Sequence, residues 1–172
     1  MQKFKYHPDP LNTGAFLDDE KATCDCCERD TAIYYLGSFY AEEEIEVLCP
    51  ECIASGKAAE TFEGTFVDEE SIEEVDNELA CEELLYRTPS YMGMQQERWL
   101  AHCNDYCEFL GQVKWSELVE HGLIEEIKED KMLTEEWDLG SIEKTVDSND
   151  DLQLYLFRCR HCGKHRIWID EA

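Results

Sequence analysis

The chain has 172 residues and carries 41 acidic residues against 15 Lys and Arg, which gives a formal net charge of −26. This excess of negative charge disfavours a nucleic acid partner, because phosphates would be repelled, and it favours a basic protein partner. No apolar run approaches the length that spans a membrane, so a membrane role is also disfavoured.

The first half of the chain predicts an arm, a hairpin and two helices. Residues 1–23 predict an extended arm, since HPDP favours turns. The segment TAIYYLGSFY is rich in β-branched and aromatic residues and predicts two strands around a turn at Gly37. A helix is expected to begin near Cys49, and SIEEVDNELACEELLYR predicts another, with a capping box from Ser71 to Glu74. The apolar stripe of this helix would consist of Ile72, Val75, Leu79 and Tyr86.

The second half predicts two further helices and two strands. QQERWLAHC predicts a short helix that ends near Asn104, and KWSELVEHGLIEEI predicts another helix. LQLYLFRC alternates like a strand, and HRIWID predicts a second strand, joined to it through CRHCGK. We therefore expect an α+β fold, with an N-terminal zinc-binding unit at 1–70 and a helical part with a second zinc knuckle at 71–172. Both parts are expected to pack as one globular body.

The ten cysteines are the strongest chemical signal in the sequence. Residues 1–16 lack the apolar segment of a secretory signal, so we expect a cytoplasmic protein whose reducing surroundings favour metal ligation over disulfides. Zinc prefers four tetrahedral ligands, and two thiolates separated by two residues can wrap one ion. We therefore expect two structural zinc ions.

The first zinc site is predicted from Cys24, Cys27, Cys49 and Cys52. Two C-x-x-C pairs stand 21 residues apart, which is close to the usual zinc-ribbon interval, and a knuckle, hairpin and helix in this order form a treble-clef arrangement. Cys26 lies inside the first pair as a spare thiol, although Cys26 in place of Cys24 remains an alternative. A redox pair is the rival interpretation, but no βαβ unit accompanies these cysteines.

The second zinc site must be assembled from distant segments. Cys159 and Cys162 form one knuckle, and Cys103 and Cys107 are the candidates for the other two ligands, with His102 as the reserve. Four protein ligands leave no open position for a water molecule, so zinc catalysis is disfavoured at both sites. The sequence contains no P-loop, dinucleotide fingerprint or nucleophile elbow, and we expect a protein that is not an enzyme.

One stretch of the chain is conspicuously acidic. No Lys or Arg occurs from Ala58 to Tyr86, and eleven Asp and Glu lie between Glu60 and Glu83. Such a stretch forms either a solvated face or a surface that recognises a basic partner. The candidate partner-binding residues are Asp68, Glu69, Glu70, Glu73 and Glu74.

Several segments together resemble the CbrC-like family of small bacterial proteins. They are YHPDPLNTGAF, CDCC followed by IYYLGSFYA, LCPECIASGKAAETFEGTF, RTPSY, WLAHCNDYCEFLG and LYLFRCRHCGKHR, in this order over nearly the whole chain. The resemblance implies a link to colicin tolerance, and members look like immunity proteins for bacterial toxins. The expected function is therefore a cytosolic immunity protein that binds and neutralises a basic toxin domain, such as a nuclease. The alternative is a non-catalytic zinc-binding adaptor or stress-tolerance protein with another partner.

Overall fold

The computed structural model describes residues 2–172 as a mixed α+β protein whose regular elements are short. The strands are β1 (Phe16–Leu17), β2 (Ala22–Thr23), β3 (Asp30–Thr31), β4 (Tyr34–Tyr35), β5 (Ala101–His102), β6 (Asp105–Tyr106), β7 (Glu108–Val113), β8 (Leu152–Arg158) and β9 (His165–Glu171). The α-helices are α1 (Pro50–Ala54), α2 (Lys57–Phe62), α3 (Glu78–Arg87), α4 (Trp115–Glu120), α5 (Ile124–Lys128), α6 (Lys131–Glu136) and α7 (Leu139–Thr145). Two 3₁₀ turns cover Glu69–Ser71 and Val146–Ser148.

Strand β4 pairs with the N-terminal arm, whereas the sequence predicted that it pairs with the segment after Gly37 in a local hairpin. β4 pairs antiparallel with β1, with Tyr35 opposite Phe16, and the segment after Gly37 does not pair with it. The prediction of two strands around Gly37 was therefore wrong. The physical reason is aromatic packing, since the Tyr35 ring lies 5.8 Å from that of Phe16 and 5.5 Å from that of Phe66.

The helix predicted from Ser71 starts seven residues later, at Glu78. Its N-cap is Asn77, whose side chain accepts a hydrogen bond from the Ala80 backbone amide. The preceding segment is held extended because Glu73 donates its backbone amide to the Trp99 carbonyl at 3.0 Å, and Trp99 donates to Ser71 at 3.0 Å. The buried face of the helix therefore differs from the predicted apolar stripe. Leu79 is 77% exposed, and the buried side chains of α3 are those of Ala80, Leu84 and Leu85.

A hairpin replaces the short helix predicted for QQERWLAHC. β5 and β6 pair antiparallel, with His102 opposite Asp105, and only two residues connect them. The backbone of Trp99 pairs with residues 71–73, and this pairing outweighs the local helix propensity of QQERWLAHC. This change matters for function, because the hairpin carries two residues of the second cysteine cluster.

The C-terminal strands form the largest sheet, in the antiparallel order β7-β8-β9. Alternation along β8 explains its two faces. Leu152 and Leu154 pack against α4–α7, whereas Tyr155 and Phe157 join an aromatic core on the other face. The strands predicted from LQLYLFRC and HRIWID are thus confirmed. Within residues 2–172, no helix combines the length and apolar character needed to cross a membrane.

The HPDP arm is anchored through a buried histidine. His7 is fully buried, and its Nδ1 donates to the Pro89 carbonyl at 2.8 Å. Its Nε2 lies 2.6 Å from the Thr13 hydroxyl, and the ring packs edge-on against Phe109. Burial lowers the pKa of His7 to about 4, so the ring is neutral at pH 7.

This histidine predicts a pH-dependent stability. Because its pKa is about 4 in the folded chain, the unfolded chain binds an extra proton once the pH falls below the ordinary histidine pKa of about 6.5. The free energy of unfolding should therefore decrease as the pH falls from 6.5 towards 4. Between pH 7 and pH 5, wild type should lose about 2 kcal/mol more than His7→Gln in urea unfolding.

His121→Gln is the matched control, because His121 is exposed in the turn after α4. Its unfolding free energy should follow pH as that of wild type does. Equal pH dependence of wild type and His7→Gln would contradict the prediction.

Candidate metal centres

The first C-x-x-C pair closes a six-residue loop between β2 and β3. The Cys24 amide donates to the Arg29 carbonyl at 3.0 Å, and the Glu28 amide donates back to the Cys24 carbonyl at 2.8 Å. Glu28 adopts a positive φ of 56°, which turns the chain back after Cys27. These bonds aim both sulfurs toward the same side of the loop.

The second C-x-x-C pair closes an equivalent loop between β8 and β9. The Cys159 amide donates to the Lys164 carbonyl at 2.7 Å, and the Gly163 amide donates to the Cys159 carbonyl at 3.0 Å. Gly163, with a φ of 76°, occupies the position of Glu28 in the first loop. The two knuckles therefore share one backbone design, although their sequences differ outside the cysteines.

The first centre brings together Cys24, Cys27, Cys49 and Cys52, whose sulfurs all lie within 4.8 Å of one another. Cys49 is the N-cap of α1, Pro50 starts the helix, and Cys52 follows in the first turn. A tetrahedral ion with Zn–S bonds of about 2.3 Å would hold its sulfurs about 3.8 Å apart. The Cys27 and Cys49 sulfurs lie 3.9 Å apart, so this donor set fits zinc.

Cys26 lies outside this group. Its thiol is 3.8 Å from the Thr61 hydroxyl, and its carbonyl accepts a hydrogen bond from the Lys57 ammonium at 3.2 Å. Cys24 instead faces the cluster and accepts from the Cys49 backbone amide at 3.3 Å. The geometry therefore places Cys24, and not Cys26, in the group of four.

The four thiols of the first centre differ in their surroundings. A hydrogen bond with Arg29 lowers the pKa of the Cys27 thiol to about 6, whereas burial raises the pKa of Cys49 to about 11. Burial also raises the pKa of Cys52. A bound cation would stabilise all of the thiolates and thereby remove this cost of burying negative charge.

The second centre brings together His102, Cys103, Cys159 and Cys162, again with all ligand atoms within 4.8 Å. His102 Nδ1 lies 3.2 Å from the Cys103 sulfur and 3.3 Å from that of Cys162. A tetrahedral ion with Zn–N and Zn–S bonds of ordinary length would place these atoms about 3.5 Å apart. Three thiolates and one imidazole are also a donor set that zinc accepts.

The β5–β6 turn presents two of these donors. Its central residues Cys103 and Asn104 have φ angles of 54° and 55°, a left-handed conformation that a cysteine seldom adopts. The Asn104 side chain accepts a hydrogen bond from the Asp76 backbone amide at 2.8 Å, which ties the turn to the segment before α3. Asn104 was thus a turn signal, but the prediction used it to end a helix.

Cys107 does not belong to this group, although it was the expected fourth ligand. It is fully buried in the aromatic core, and its carbonyl accepts a hydrogen bond from the Trp99 indole at 3.0 Å. Burial raises the pKa of the Cys107 thiol to about 12, so it stays protonated. Cys107 comes directly after β6, and its side chain faces the core. The reserve residue His102 is the fourth member of the group instead.

A buried ionic cluster supports the hairpin that carries His102. Arg166 is 8% exposed, and its guanidinium donates to Glu73 at 2.5 Å, to Asp130 at 2.6 Å and to the Ala101 carbonyl at 2.6 Å. The Glu73 carboxylate also accepts from the Ala101 amide at 2.6 Å. The backbone amide and carbonyl of Ala101, the residue before His102, are therefore both hydrogen-bonded, and this fixes the orientation of His102.

A second buried carboxylate supports the other side of the same centre. Asp105 is 4% exposed, accepts a hydrogen bond from the Tyr6 hydroxyl and lies 2.9 Å from His161 Nε2. The Arg160 guanidinium lies 3.8 Å away. Asp105 thus connects the N-terminal arm, the β5–β6 hairpin and the second knuckle. The hairpin and the knuckle carry the ligands of the second centre, which come from distant parts of the chain.

The acidic candidate residues divide into two groups. The Asp68 side chain caps the turn at Glu70 and accepts from Gln96, and Glu73 is bound to Arg166. These two carboxylates have structural partners within the chain. Three others are exposed: Glu69, Glu70 and Glu74.

Fold and site together define a small α+β protein with two thiolate-rich clusters, each of which could hold a metal ion. The chain belongs to the uncharacterised protein family UPF0167, whose family model matches residues 1–171.

Relatives from three bacteria share nearly their full length with the chain. The UPF0167 proteins of Mycobacterium bovis and Mycobacterium tuberculosis are each 40% identical to it over 177 residues, covering 100% of this chain and 94% of theirs. The UPF0167 protein of Pseudomonas aeruginosa is 34% identical over 178 residues, covering 99% of this chain and 97% of its own. No solved structure matches the chain.

The second centre predicts different metal contents for two variants. His102→Ala removes a ligand and should weaken zinc binding at that centre on the order of a hundredfold, because four ligands share an apparent binding free energy of about 10–16 kcal/mol. Cys107→Ala should retain both zinc ions and lose about 1–2 kcal/mol of folding stability from the core. Native mass spectrometry after dialysis against a weak chelator measures both contents. The ligand set would be wrong if Cys107→Ala lost an ion and His102→Ala kept two.

Proposed function

We propose that this protein is a non-catalytic binding protein built around two structural zinc ions. The observation that carries the proposal is that each cluster supplies four protein donors whose ligand atoms lie within 4.8 Å of one another, which is compatible with tetrahedral coordination. An ion with four protein ligands has no open position for water, so its contribution is to the fold. With zinc bound, the first knuckle and α1 would form a unit related to a treble clef, in which the pairing of β4 with β1 replaces the expected hairpin.

The donor sets support zinc as the ion. One cluster offers four sulfurs and the other three sulfurs and one imidazole nitrogen, which suits a borderline-soft ion without redox chemistry. A divalent ion with four thiolates carries a charge of about −2, and one with three thiolates and a neutral histidine carries about −1. Zinc loading thus leaves the protein strongly acidic.

We propose further that the exposed carboxylates of Glu69, Glu70 and Glu74 form an acidic surface that binds a basic protein domain. A groove of about 770 Å³ runs beside the second centre. It is lined by His102, by the carboxylates of Glu73, Glu74 and Asp76, and by Arg98 and Arg166, of which Arg166 is already paired with Glu73 and Asp130. Its apolar lining includes Ile72, Val75 and Met132, and Met132 is 57% exposed. Such a groove suits basic side chains flanked by apolar ones, and the charge of −26 would accelerate association with a basic partner.

The specific form of this proposal is toxin immunity in the bacterial cytoplasm. The resemblance to the CbrC-like family supports it, because that family is linked to colicin tolerance, and toxin nuclease domains tend to be basic. A zinc-binding adaptor with another basic partner uses the same surface and is the alternative. The two roles are distinguished by one partner: an immunity protein should bind the product of a toxin gene next to its own gene.

The test neutralises charge without changing shape. The triple variant Glu69→Gln, Glu70→Gln and Glu74→Gln removes three exposed carboxylates that make no internal bond to Arg166. Stopped-flow association with the purified neighbouring gene product should slow by about tenfold at low salt, and its salt dependence should weaken. A matched triple variant on the helices α6 and α7, carrying Glu135→Gln, Glu136→Gln and Glu143→Gln, should associate at close to the wild-type rate.

Two outcomes would count against the acidic surface as the binding site. One is an unchanged association rate in the first triple variant with its fold intact. The other is an equal loss in both triple variants, which would mean that only net charge matters. If the neighbouring product neither binds nor loses its toxicity in cells that express wild type, the immunity role is wrong, whereas the zinc content is tested separately.

A further inference from the structure

The two centres differ in the exposure of their cysteine residues. In the first centre Cys24, Cys49 and Cys52 are at most 3% exposed, and Cys27 is partly covered. In the second centre only Cys159 is buried, whereas Cys103 and Cys162 are both exposed. A small oxidant can therefore reach two ligands of the second centre without any opening of the fold.

The backbone explains why these two cysteines protrude. Cys103 sits at the tip of the β5–β6 turn in a left-handed conformation, and Cys162 precedes Gly163 at the tip of the second knuckle. Both residues are exposed, and their sulfurs lie within 4.8 Å of each other and close to His102 Nδ1. Two accessible sulfurs at this separation can form a disulfide after a small movement.

We propose that Cys103 and Cys162 are an oxidation site for hydroperoxides that releases the zinc ion of the second centre. This inference rests on the zinc occupancy proposed above and adds a regulation of that site. The chemical class of the reactant is a small hydroperoxide, with hydrogen peroxide as the simplest member.

The chemistry balances in two steps. With hydrogen peroxide, one thiolate sulfur attacks an oxygen atom, the O–O bond breaks, and a sulfenic acid and a hydroxide ion form. The second thiolate attacks the sulfenic sulfur, the S–O bond breaks, and a disulfide and a second hydroxide ion form. Two electrons pass from the two thiolates to the peroxide, whose oxygens end as two water molecules after protonation. The ion then keeps only His102 and Cys159, and it leaves.

Release of this ion leaves other links between the same segments in place. Arg166 still donates to the Ala101 carbonyl, and Glu73 still accepts from the Ala101 amide. Asp105 still holds His161 of the knuckle. The hairpin therefore loosens locally while the sheet and the first centre persist, so reduction and added zinc should restore the centre.

The experiment uses the zinc-loaded full chain and hydrogen peroxide, with a chromogenic chelator to follow the released ion. We expect one of the two zinc ions to leave at least about tenfold faster than the other. Differential alkylation and peptide mass mapping should find a Cys103–Cys162 disulfide at that stage, with the four cysteines of the first centre still reduced. Far-ultraviolet circular dichroism should change little, and reductant with zinc should restore two ions per chain.

A variant and a control sharpen the test. Cys162→His keeps a zinc-binding side chain but removes the cysteine pair, so its fast release should slow by about tenfold or more. Cys26→Ser removes a thiol outside both groups and should release zinc as wild type does. Release of both ions at one rate, first loss from the first centre, or release without oxidation of Cys103 and Cys162 would overturn the inference. Fewer than two zinc ions before peroxide is added would instead refute the zinc occupancy itself.

Discussion

Convergence of ligands from distant segments is the constraint on which the rest of the structure depends. In the second centre, His102 at the end of β5 and Cys103 in the β5–β6 turn meet a knuckle that begins at Cys159, 57 residues after His102. In the first, a knuckle between two-residue strands meets the start of a five-residue helix. Elements this short have little stability of their own, so a metal ion would supply what regular structure does not.

The buried charges follow from the same constraint. Arg166, Glu73 and Asp130 fix the backbone before His102, and Asp105 joins the hairpin to the arm and to the second knuckle. Such groups are costly to bury unless they are fully paired, and here each carboxylate has a cationic or hydrogen-bonding partner. Part of the acidity of the chain therefore has a structural role, while Glu69, Glu70 and Glu74 remain at the surface.

Local patterns in the sequence predicted what depends on local geometry. Both C-x-x-C knuckles, the choice of Cys24 over Cys26, and the strands β8 and β9 follow from spacing and alternation within a few residues. The extended 72–75 segment and the β5–β6 hairpin could not be predicted in this way, because both depend on backbone pairing with Trp99 across the chain. The mistaken choice of Cys107 over His102 as the fourth ligand followed from that error, since a hairpin and a helix direct these two side chains differently.

The ligand sets are tested most directly by zinc X-ray absorption on the fully loaded chain. Seven cysteines and one histidine shared by two ions predict an average of 3.5 sulfur and 0.5 nitrogen ligands per zinc, with Zn–S bonds of about 2.3 Å. An average of four sulfurs would place Cys107 in the second centre in place of His102. Light ligands in excess of one nitrogen per two ions would mean an open coordination position, and that result would contradict the account of two closed, structural centres.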